Sequence, residues 1–506
     1  MRILKILQNR IVVLVTLIGL QIILIALGMR YLFYDATILK AISITISLLV
    51  TLYIINKDDD DSGYKIIWLI PILVFPVFGG ILYLVFGNKK PAKKLQDAYL
   101  SQDEAMESCC YPNNIQENIA DEGIKGQVNY LVDQEFPVYN NSEVKYYPLG
   151  DCAFPDLLAE LKKAKHFIFM EYFIVQEGEM FDQVLEILKQ KVKEGVEVRF
   201  MYDDMGSLTM LPFRYYQELE SYGIKSIAFN HIVPFLSIVM NNRDHRKITV
   251  IDGWVGFSGG FNLADEYINA KVKYGHWKDT GVMIKGEAVW NLTRLFLATW
   301  NASLHQVEDY DKYHPRHYLM PKINPSGYVL PYGDSPLDAK PVGKNVYLNI
   351  INQAKRYLYI NTPYLIINDE LKNALCLAVL RGVDVRIVTP GIPDKKTVFK
   401  VTRSYYEYLV LGGVKIYEYT PGFMHAKNFV CDDKIATVGT INLDYRSLYL
   451  HFECGVYMYD CKAVKDIKDD FLSTIALSKE ISYDDVIKGR FRGWLEAILR
   501  LFAPLL

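Results

Sequence analysis

The stretch DHRKITVIDGWVGFSGGFNLAD (244–265) and the stretch MHAKNFVCDDKIATVGTINLDYR (424–446) contain one pattern of polar residues twice. Each has a histidine, one residue, a lysine, four residues and an aspartate. A glycine and an asparagine follow at matching offsets in both copies, as Gly259 with Gly439 and Asn262 with Asn442. Two copies in register, one in each half of a 506-residue chain, predict a duplicated domain.

The segments that surround the two copies also resemble each other. EGVEVRFMYDD (194–204) matches RGVDVRIVTPG (381–391), and each is a short apolar strand that a glycine separates from a preceding helix. The order strand, helix, strand, strand, motif occurs in both halves, which is typical of α/β units with a mostly parallel or mixed sheet. We therefore predict two α/β domains related by a pseudo-twofold axis, over residues 134–310 and 311–482.

The motif itself is suited to chemistry at phosphorus. His245 and Lys247, like His425 and Lys427, are two residues apart on a strand, so both side chains point to one face. A lysine neutralises phosphate oxygens, and a neutral histidine can attack phosphorus. Displacement through a covalent intermediate needs a nucleophile and an acid on the opposite side, which two facing copies supply. Donors for the same oxygens are expected from Gly259, Gly439, Asn262 and Asn442.

Four carboxylates accompany the histidines. Asp252 and Asp432 complete the two catalytic motifs, but they lie five residues past the lysines and so point to the opposite strand face, where a structural part is expected. Asp279 in DTGVM and Glu453 in ECGVY occupy equivalent places in the repeat. A carboxylate on one ring nitrogen fixes the histidine tautomer, so these two are predicted to orient the imidazoles.

Other histidines carry weaker signals. His276 lies near Asp279, although a site role is less expected than a structural one. A structural role is expected for His166, His231, His305 and His451. No zinc or P-loop pattern is present, so neither a metal nor a cofactor is expected.

The first 87 residues differ from the rest in having three apolar runs, 11–29, 36–55 and 66–86. A helix needs about 20 apolar residues to cross a bilayer, so two or three transmembrane helices are expected, with the second run the weakest candidate. GNKKPAKK follows the third run and NKDDDDSGYK precedes it. Positive charge stays inside, so we expect a cell-membrane protein whose catalytic part is cytoplasmic. With three spans the basic amino terminus would lie outside the cytoplasm, whereas with two spans it would lie on the cytoplasmic side.

Composition and the remaining segments add smaller expectations. A net charge of −2 argues against a large nucleic-acid footprint, and seven scattered cysteines suit a reducing compartment. Residues 88–133 are polar and are interpreted as an irregular linker. Residues 483–506 mix basic and apolar side chains, which indicates either an interfacial amphipathic helix or a final helix packed on the protein surface.

The two motifs resemble the His-x-Lys-x4-Asp signature of the phospholipase D superfamily, and the resemblance covers roughly residues 134–480. Within it the layout is similar to the bacterial cardiolipin synthase family. The similar segments are PVFGGILYLVFG (76–87), GFSGGFNLADEY (256–267), HWKDT (276–280), TINLDYRS (440–447) and the final APLL.

This resemblance implies a transferase that joins two phosphatidylglycerols into cardiolipin and releases glycerol. It implies His245 as the nucleophile and His425 as the acid and then the base, although the symmetry of the repeat leaves the reverse open. Pocket positions for Glu171, Tyr172 and Tyr364 are as well explained by a core role. The residues alone leave two alternatives, a phospholipase D-type hydrolase that releases phosphatidic acid and a non-enzymatic membrane scaffold. A nuclease of the same superfamily is disfavoured by the expected membrane spans and the net charge near zero. The oligomeric state is not determined.

Overall fold

The computed structural model describes most of the chain, and the residues described are 16, 19–21, 23, 27–28, 37–57, 61–87, 91, 93–111, 114–232, 241–320, 322–487 and 499–503. The first predicted span, residues 11–29, falls largely outside this set.

The second apolar run forms one helix, and the third forms two: α1 (Thr37–Asn56), α2 (Ser62–Val74) and α3 (Pro76–Phe86). The break follows from Pro76, because a proline ring disfavours the helical conformation of the residue before it. Phe75 accordingly has φ −129° and ψ 72°. Within the described residues no helix combines the length and the apolar character needed to span a membrane. The third run is therefore two helices separated at Phe75, and the membrane spans expected from the sequence stay a prediction.

The segment expected to be an irregular linker is mostly helical, with α4 (Lys93–Ser108) and α5 (Glu122–Asp133). Tertiary contacts stabilise these polar helices. The Tyr99 ring stacks on Phe452 with centroids 5.0 Å apart, and its hydroxyl donates to Thr299 over 3.1 Å. Asp121 caps α5 by accepting a hydrogen bond from the Ile124 amide.

The described residues of the first half form eight strands: β1 (Ser142–Tyr147), β2 (Phe167–Tyr172), β3 (Glu197–Asp203), β4 (Lys225–Phe229), β5 (Lys247–Ile251), β6 (Val255–Gly259), β7 (His276–Lys278) and β8 (Gly281–Gly286). All except β7 form a mixed sheet in the order β1-β8-β6-β5-β2-β3-β4. Its helices are α6 (Gly150–Lys163), α7 (Glu179–Lys193), α8 (Tyr215–Ser221) and α9 (Val289–Leu304).

The second half repeats this topology. Its strands are β9 (Tyr328–Asp334), β10 (Tyr357–Asn361), β11 (Asp384–Pro390), β12 (Lys415–Tyr419), β13 (Gly422–Met424), β14 (Asn428–Cys431), β15 (Ile435–Gly439), β16 (Glu453–Tyr459) and β17 (Ser478–Glu480). The sheet order is β17-β12-β11-β10-β14-β15-β16-β9, which is the first order reversed, with β17 added at one edge. The α/β class and the duplication are thereby confirmed.

Helices of the second half are α10 (Val342–Gln353), α11 (Asp369–Leu380), α12 (Lys396–Ser404), α13 (Tyr406–Leu411), α14 (Tyr445–Tyr449), α15 (Lys462–Ala476) and α16 (Tyr483–Ile487). In both halves the glycine expected between helix and strand has a positive φ, 87° at Gly195 and 90° at Gly382. A side chain is disfavoured there, and so glycine ends the helix.

The described part of the C-terminal segment contacts the second half. Arg500 lies over the Tyr405 ring at 5.6 Å, and Ala503 is buried. These contacts agree with the packed-helix interpretation, while residues 488–498 lie outside the described set.

Two strands join the halves directly. β7 of the first half pairs in parallel with β13 of the second, from Gly422 opposite His276 to Met424 opposite Lys278. An isolated bridge between Asp244 and Phe452 links the halves a second time. Both links lie immediately beside a motif histidine, so the junction between the halves is also where the site is built.

Candidate active site

The backbone of each motif is anchored to the opposite half. The His245 amide donates to the Phe452 carbonyl over 2.9 Å, and the His425 amide donates to the Lys278 carbonyl over 2.7 Å. Phe452 and Lys278 immediately precede Glu453 and Asp279, the two acids predicted to orient the histidines. Each histidine therefore enters the site next to the acid of the other half.

The side chains form two crossed pairs. His245 Nδ1 lies 2.9 Å from both carboxylate oxygens of Glu453. His425 Nδ1 lies 2.5 Å from Asp279 Oδ2. An imidazole that donates from Nδ1 to a carboxylate keeps its lone pair on Nε2, which is the nitrogen available to attack or to take up a proton. All four side chains are buried.

Burial and neighbouring cations keep both imidazoles neutral. The pKa of His245 lies well below 6.5, first because of burial and then because of the charges of Lys247, Lys427 and His425. The pKa of His425 is lowered in the same way by burial, Lys427 and Lys247. The lysine of each motif lowers the pKa of the histidine in the other motif, so the two motifs form a single electrostatic site.

The remaining charges in this site also have shifted pKa values. Burial lowers the pKa of Lys247 to about 7 and that of Lys427 to about 8. Burial raises the pKa of the Asp279 carboxyl to about 7. Each lysine ammonium donates to the backbone carbonyl of its own motif histidine. Buried cations beside neutral imidazoles form a site suited to a phosphodiester anion.

The motif aspartates bind backbone amides on the strand next to them. Asp252 accepts hydrogen bonds from the amides of 165, 166 and 167 at 2.7–2.9 Å. Asp432 accepts from the amides of 355, 356 and 357 over the same range. Both carboxylates hold the start of a neighbouring strand, β2 or β10. They were grouped with the catalytic residues by motif, and these contacts instead give them a structural part.

The predicted phosphate donors differ in how they are used. Gly259 pairs with Gly281 and Gly439 with Gly455, and a Cβ on either motif glycine would come within 2.6 Å of the opposing Cα. These glycines therefore permit close strand approach. Asn262 accepts from the Ile174 amide and donates to the Tyr267 hydroxyl, so protein groups already occupy its amide. The Asn442 Oδ1 atom is buried and accepts no hydrogen bond from the described residues.

The residues suggested as pocket lining are distributed over both strand faces. The Glu171 carboxylate lies 2.9 Å from the Arg246 guanidinium, on the face opposite His245 and Lys247. The Tyr172 hydroxyl bonds to the Thr249 hydroxyl at 2.8 Å, and its side chain lines a small cavity with Lys247. The Tyr364 hydroxyl donates to Asp394 at 2.7 Å.

The other histidines mostly lie in ordinary contacts. His276 Nδ1 is 3.0 Å from the Tyr419 hydroxyl, and His231 Nδ1 is 2.8 Å from Asp204. The His166 ring packs on Tyr318, and His305 is exposed at the end of α9.

Several residues around the two histidines are not predicted as site residues from the sequence. Thr440 donates to Glu453. Tyr267, Trp277 and Phe423 surround the His425 ring, and Phe173 lies 5.0 Å from the His245 ring. His451, for which a structural role was expected, lies 5.6 Å from the His245 ring. The repeat alignment could have found His451 and Trp277, since each stands two residues before an orienting acid.

Known proteins resemble this chain over nearly its whole length. A family model described as "Cardiolipin synthase, PLD-like domain" matches residues 157–300 and 347–475, and one described as "Phospholipase_D-nuclease N-terminal" matches 45–88. A cardiolipin synthase of Halalkalibacterium halodurans is 35% identical over 489 residues, covering 94% of this chain and 95% of that protein. A cardiolipin synthase of Geobacillus kaustophilus is 34% identical over 513 residues, covering 98% of this chain and 99% of that protein.

Two further relatives complete the comparison. An uncharacterised protein of Streptococcus mutans is 45% identical over 460 residues, covering 90% of this chain and 99% of that protein. Among solved structures, a phosphatidylserine synthase of Haemophilus influenzae superposes with a TM-score of 0.57 and 15% identity, over 76% of this chain and 100% of that one. The latter likeness shows a shared fold.

Proposed function

The chain belongs to the cardiolipin synthase family of phospholipase D-like proteins, and we propose that it is a phosphatidyltransferase that makes cardiolipin and glycerol from two phosphatidylglycerols. The observation that carries the proposal is the crossed arrangement of His245 with Glu453 and His425 with Asp279, beside two buried lysines. It supplies a nucleophile, an acid and charge neutralisation for one phosphorus atom.

In the first step, His245 Nε2 attacks the phosphorus of one phosphatidylglycerol. A P–N bond forms, the P–O bond to the headgroup glycerol breaks, and protonated His425 gives its Nε2 proton to the departing oxygen. The imidazolium that forms at His245 is stabilised by Glu453. Lys247 and Lys427 neutralise the phosphate oxygens, and the amide nitrogen of Asn442 would donate a further hydrogen bond to them.

In the second step, a headgroup hydroxyl of another phosphatidylglycerol attacks the phosphohistidine. Neutral His425 takes the hydroxyl proton, a P–O bond forms, and the P–N bond to His245 breaks. Both histidines return to their starting protonation states, so the cycle is balanced in protons.

Asp279 supports this order of roles. With its carboxyl pKa raised to about 7, the pair that it forms with His425 readily holds one extra proton near neutral pH. A bound phosphodiester anion offsets the lysine charges that lower the pKa of His425, so the shared proton moves onto the imidazole that must donate it.

We place this reaction at the cell membrane, with the catalytic part on the cytoplasmic side and the N-terminal apolar segments attached to the bilayer. The apolar composition of those segments and the lysines that follow them support the location. Asp61, which caps α2, accepts hydrogen bonds from Tyr445 and Asn368, and this contact would tie the N-terminal helices to the second motif.

Product analysis tests the activity. Purified full-length protein in detergent is incubated with phosphatidylglycerol labelled in the acyl chains and, separately, in the headgroup. We expect labelled cardiolipin and one released glycerol per cardiolipin, with loss of both products in His245→Ala and His425→Ala. His305→Ala, at an exposed position, is the control. Phosphatidic acid without cardiolipin would overturn the proposal in favour of a hydrolase.

A donor with an activated leaving group tests the two roles. A phosphatidyl p-nitrophenol needs no acid for its departure, so His425→Ala should still release a burst of p-nitrophenol and retain label on the protein. His245→Ala should give neither burst nor label. The opposite result would exchange the two assignments.

A further inference from the structure

His451 has no part in the proposed reaction, although its half-buried imidazole has two buried ring nitrogens. Its side chain is 10% exposed, and neither ring nitrogen has a hydrogen-bond partner among the described residues. Its Nδ1 atom lies 3.8 Å from Glu453 Oε1, and its ring is 5.6 Å from that of His245. A buried polar ring normally finds a partner, so these two unpaired nitrogens require an explanation.

His245, His451 and Glu453 together have the composition of a zinc ligand set. One ligand atom from each residue lies within 4.8 Å of the other two. Zinc bonds to imidazole nitrogen and carboxylate oxygen are about 2.0–2.2 Å long, and tetrahedral geometry then separates ligand atoms by about 3.4 Å. Glu453 Oε1 lies 2.9 Å from His245 Nδ1 and 3.8 Å from His451 Nδ1, on either side of that value, and the three ligand atoms all lie within 4.8 Å of one another.

We propose that His245, His451 and Glu453 form an inhibitory site for a borderline-soft divalent cation, with Zn²⁺ as the best match. Two imidazoles and one carboxylate leave the fourth zinc position for water. The ion would lie between Glu453 and the Nδ1 face of His245, replacing their hydrogen bond.

Occupation of this site stops the proposed reaction by changing the His245 tautomer. Neutral imidazole has one N–H, which lies on Nδ1 while that atom donates to Glu453. Zinc needs the Nδ1 lone pair, so the hydrogen moves through solvent to Nε2, with no proton gained or lost. Nε2 then has no lone pair with which to attack phosphorus.

Among the residues that the structure describes, the second histidine has no equivalent ligand set. The residue two positions before Asp279 is Trp277, whose ring lies 5.3 Å from that of His425. An indole N–H is only a donor and cannot ligate a metal ion. The proposal therefore assigns a single ion per chain, at the histidine that we assign as the nucleophile.

The test compares full-length wild-type protein with His451→Asn and with the matched control His305→Asn, in detergent and under reducing conditions. His305 is exposed and has φ 52°, which asparagine tolerates, so the control makes the same chemical change at an unrelated position. Zinc binding is measured by competition with a chromophoric chelator, and Co²⁺ binding by its visible ligand-field bands.

We expect His451→Asn to bind one equivalent less Zn²⁺ than wild type and the control, and to lose the Co²⁺ bands. The zinc concentration for half-inhibition, normalised to the metal-free activity of each variant, should rise at least about tenfold. A chelator should restore wild-type activity. If His451→Asn does not fold, as judged by its melting curve, His451→Gln replaces it.

Equal zinc stoichiometry and equal inhibition in wild type and His451→Asn would overturn the inference. Metal binding is measured in the absence of phospholipid substrate. Inhibition is measured as the decrease in whichever phosphatidyl product the protein forms. A result against the zinc site can therefore be told apart from a result against cardiolipin synthesis. Only the inhibition of the reaction by the ion rests on the proposed function.

Discussion

At the scale of single residues, the site is dominated by charged groups that are removed from water. Lys247 and Lys427 lie beside neutral imidazoles, and burial lowers their pKa values to about 7 and about 8. Burying a cation costs free energy that a bound anion offsets. The free protein is therefore prepared for a phosphodiester, whose charge stabilises the protonated form of both lysines.

This arrangement predicts a particular pH dependence. The lysines are useful only when charged, which holds below their pKa, and the Asp279–His425 pair also loses its extra proton above about pH 7. We expect kcat/KM, which reports the free protein, to fall as pH rises through about 7 to 8. The fall in kcat should lie at higher pH, because bound phosphate raises the lysine pKa values. Initial rates measured across pH check this, and a kcat/KM that keeps rising to about pH 9 would contradict it.

At the scale of elements, the turn after each motif strand determines how the neighbouring strand begins. Asp252 has φ 51° and Asp432 has φ 55°, a conformation that aspartate tolerates better than most residues. From this position each carboxylate accepts hydrogen bonds from three backbone amides. The aspartate of the motif thus contributes to strand geometry, while the histidine and lysine face the site.

The variant Asp252→Ala tests whether the motif aspartate acts in strand geometry or in catalysis. Loss of the acceptor for three amides should lower the free energy of unfolding by about 1–3 kcal/mol, and the folded fraction should keep most of its activity per molecule. Thermal melting and rates per folded protein measure both effects.

Asp460→Ala is the matched control for Asp252→Ala. Asp460 has φ 55°, but its side chain takes part in no hydrogen bond with the described residues, so this change tests backbone strain alone. An activity loss as large as that of His245→Ala, without destabilisation of Asp252→Ala, would restore a catalytic role to Asp252.

At the scale of the whole molecule, neither half contains a complete site. Each supplies one histidine and one lysine, and each orients the histidine of the other through Asp279 or Glu453. Strand pairing between β7 and β13 holds the halves in this relation. Because both halves belong to one polypeptide, one chain is sufficient for one site.

Mixing two inactive variants tests this. Co-expressed His245→Ala and His425→Ala chains should show no more phosphatidyl transfer than either variant alone, since each chain has one defective histidine in its own site. A wild-type chain co-expressed with either variant is the control for expression. Activity recovered in the mixture would show that sites form between chains.

The duplication, the α/β class and the set of paired histidines, lysines and acids could be predicted from the sequence, because they depend on spacing and strand periodicity. The helices within 88–133, which tertiary contacts stabilise, and the helix break before Pro76 in the third apolar run were not predicted from the sequence. Spacing also could not show which acid serves which histidine. The crossed pairing and the approach of His451 to His245 could not be predicted, because both result from contacts between segments about 200 residues apart that only meet in the folded chain.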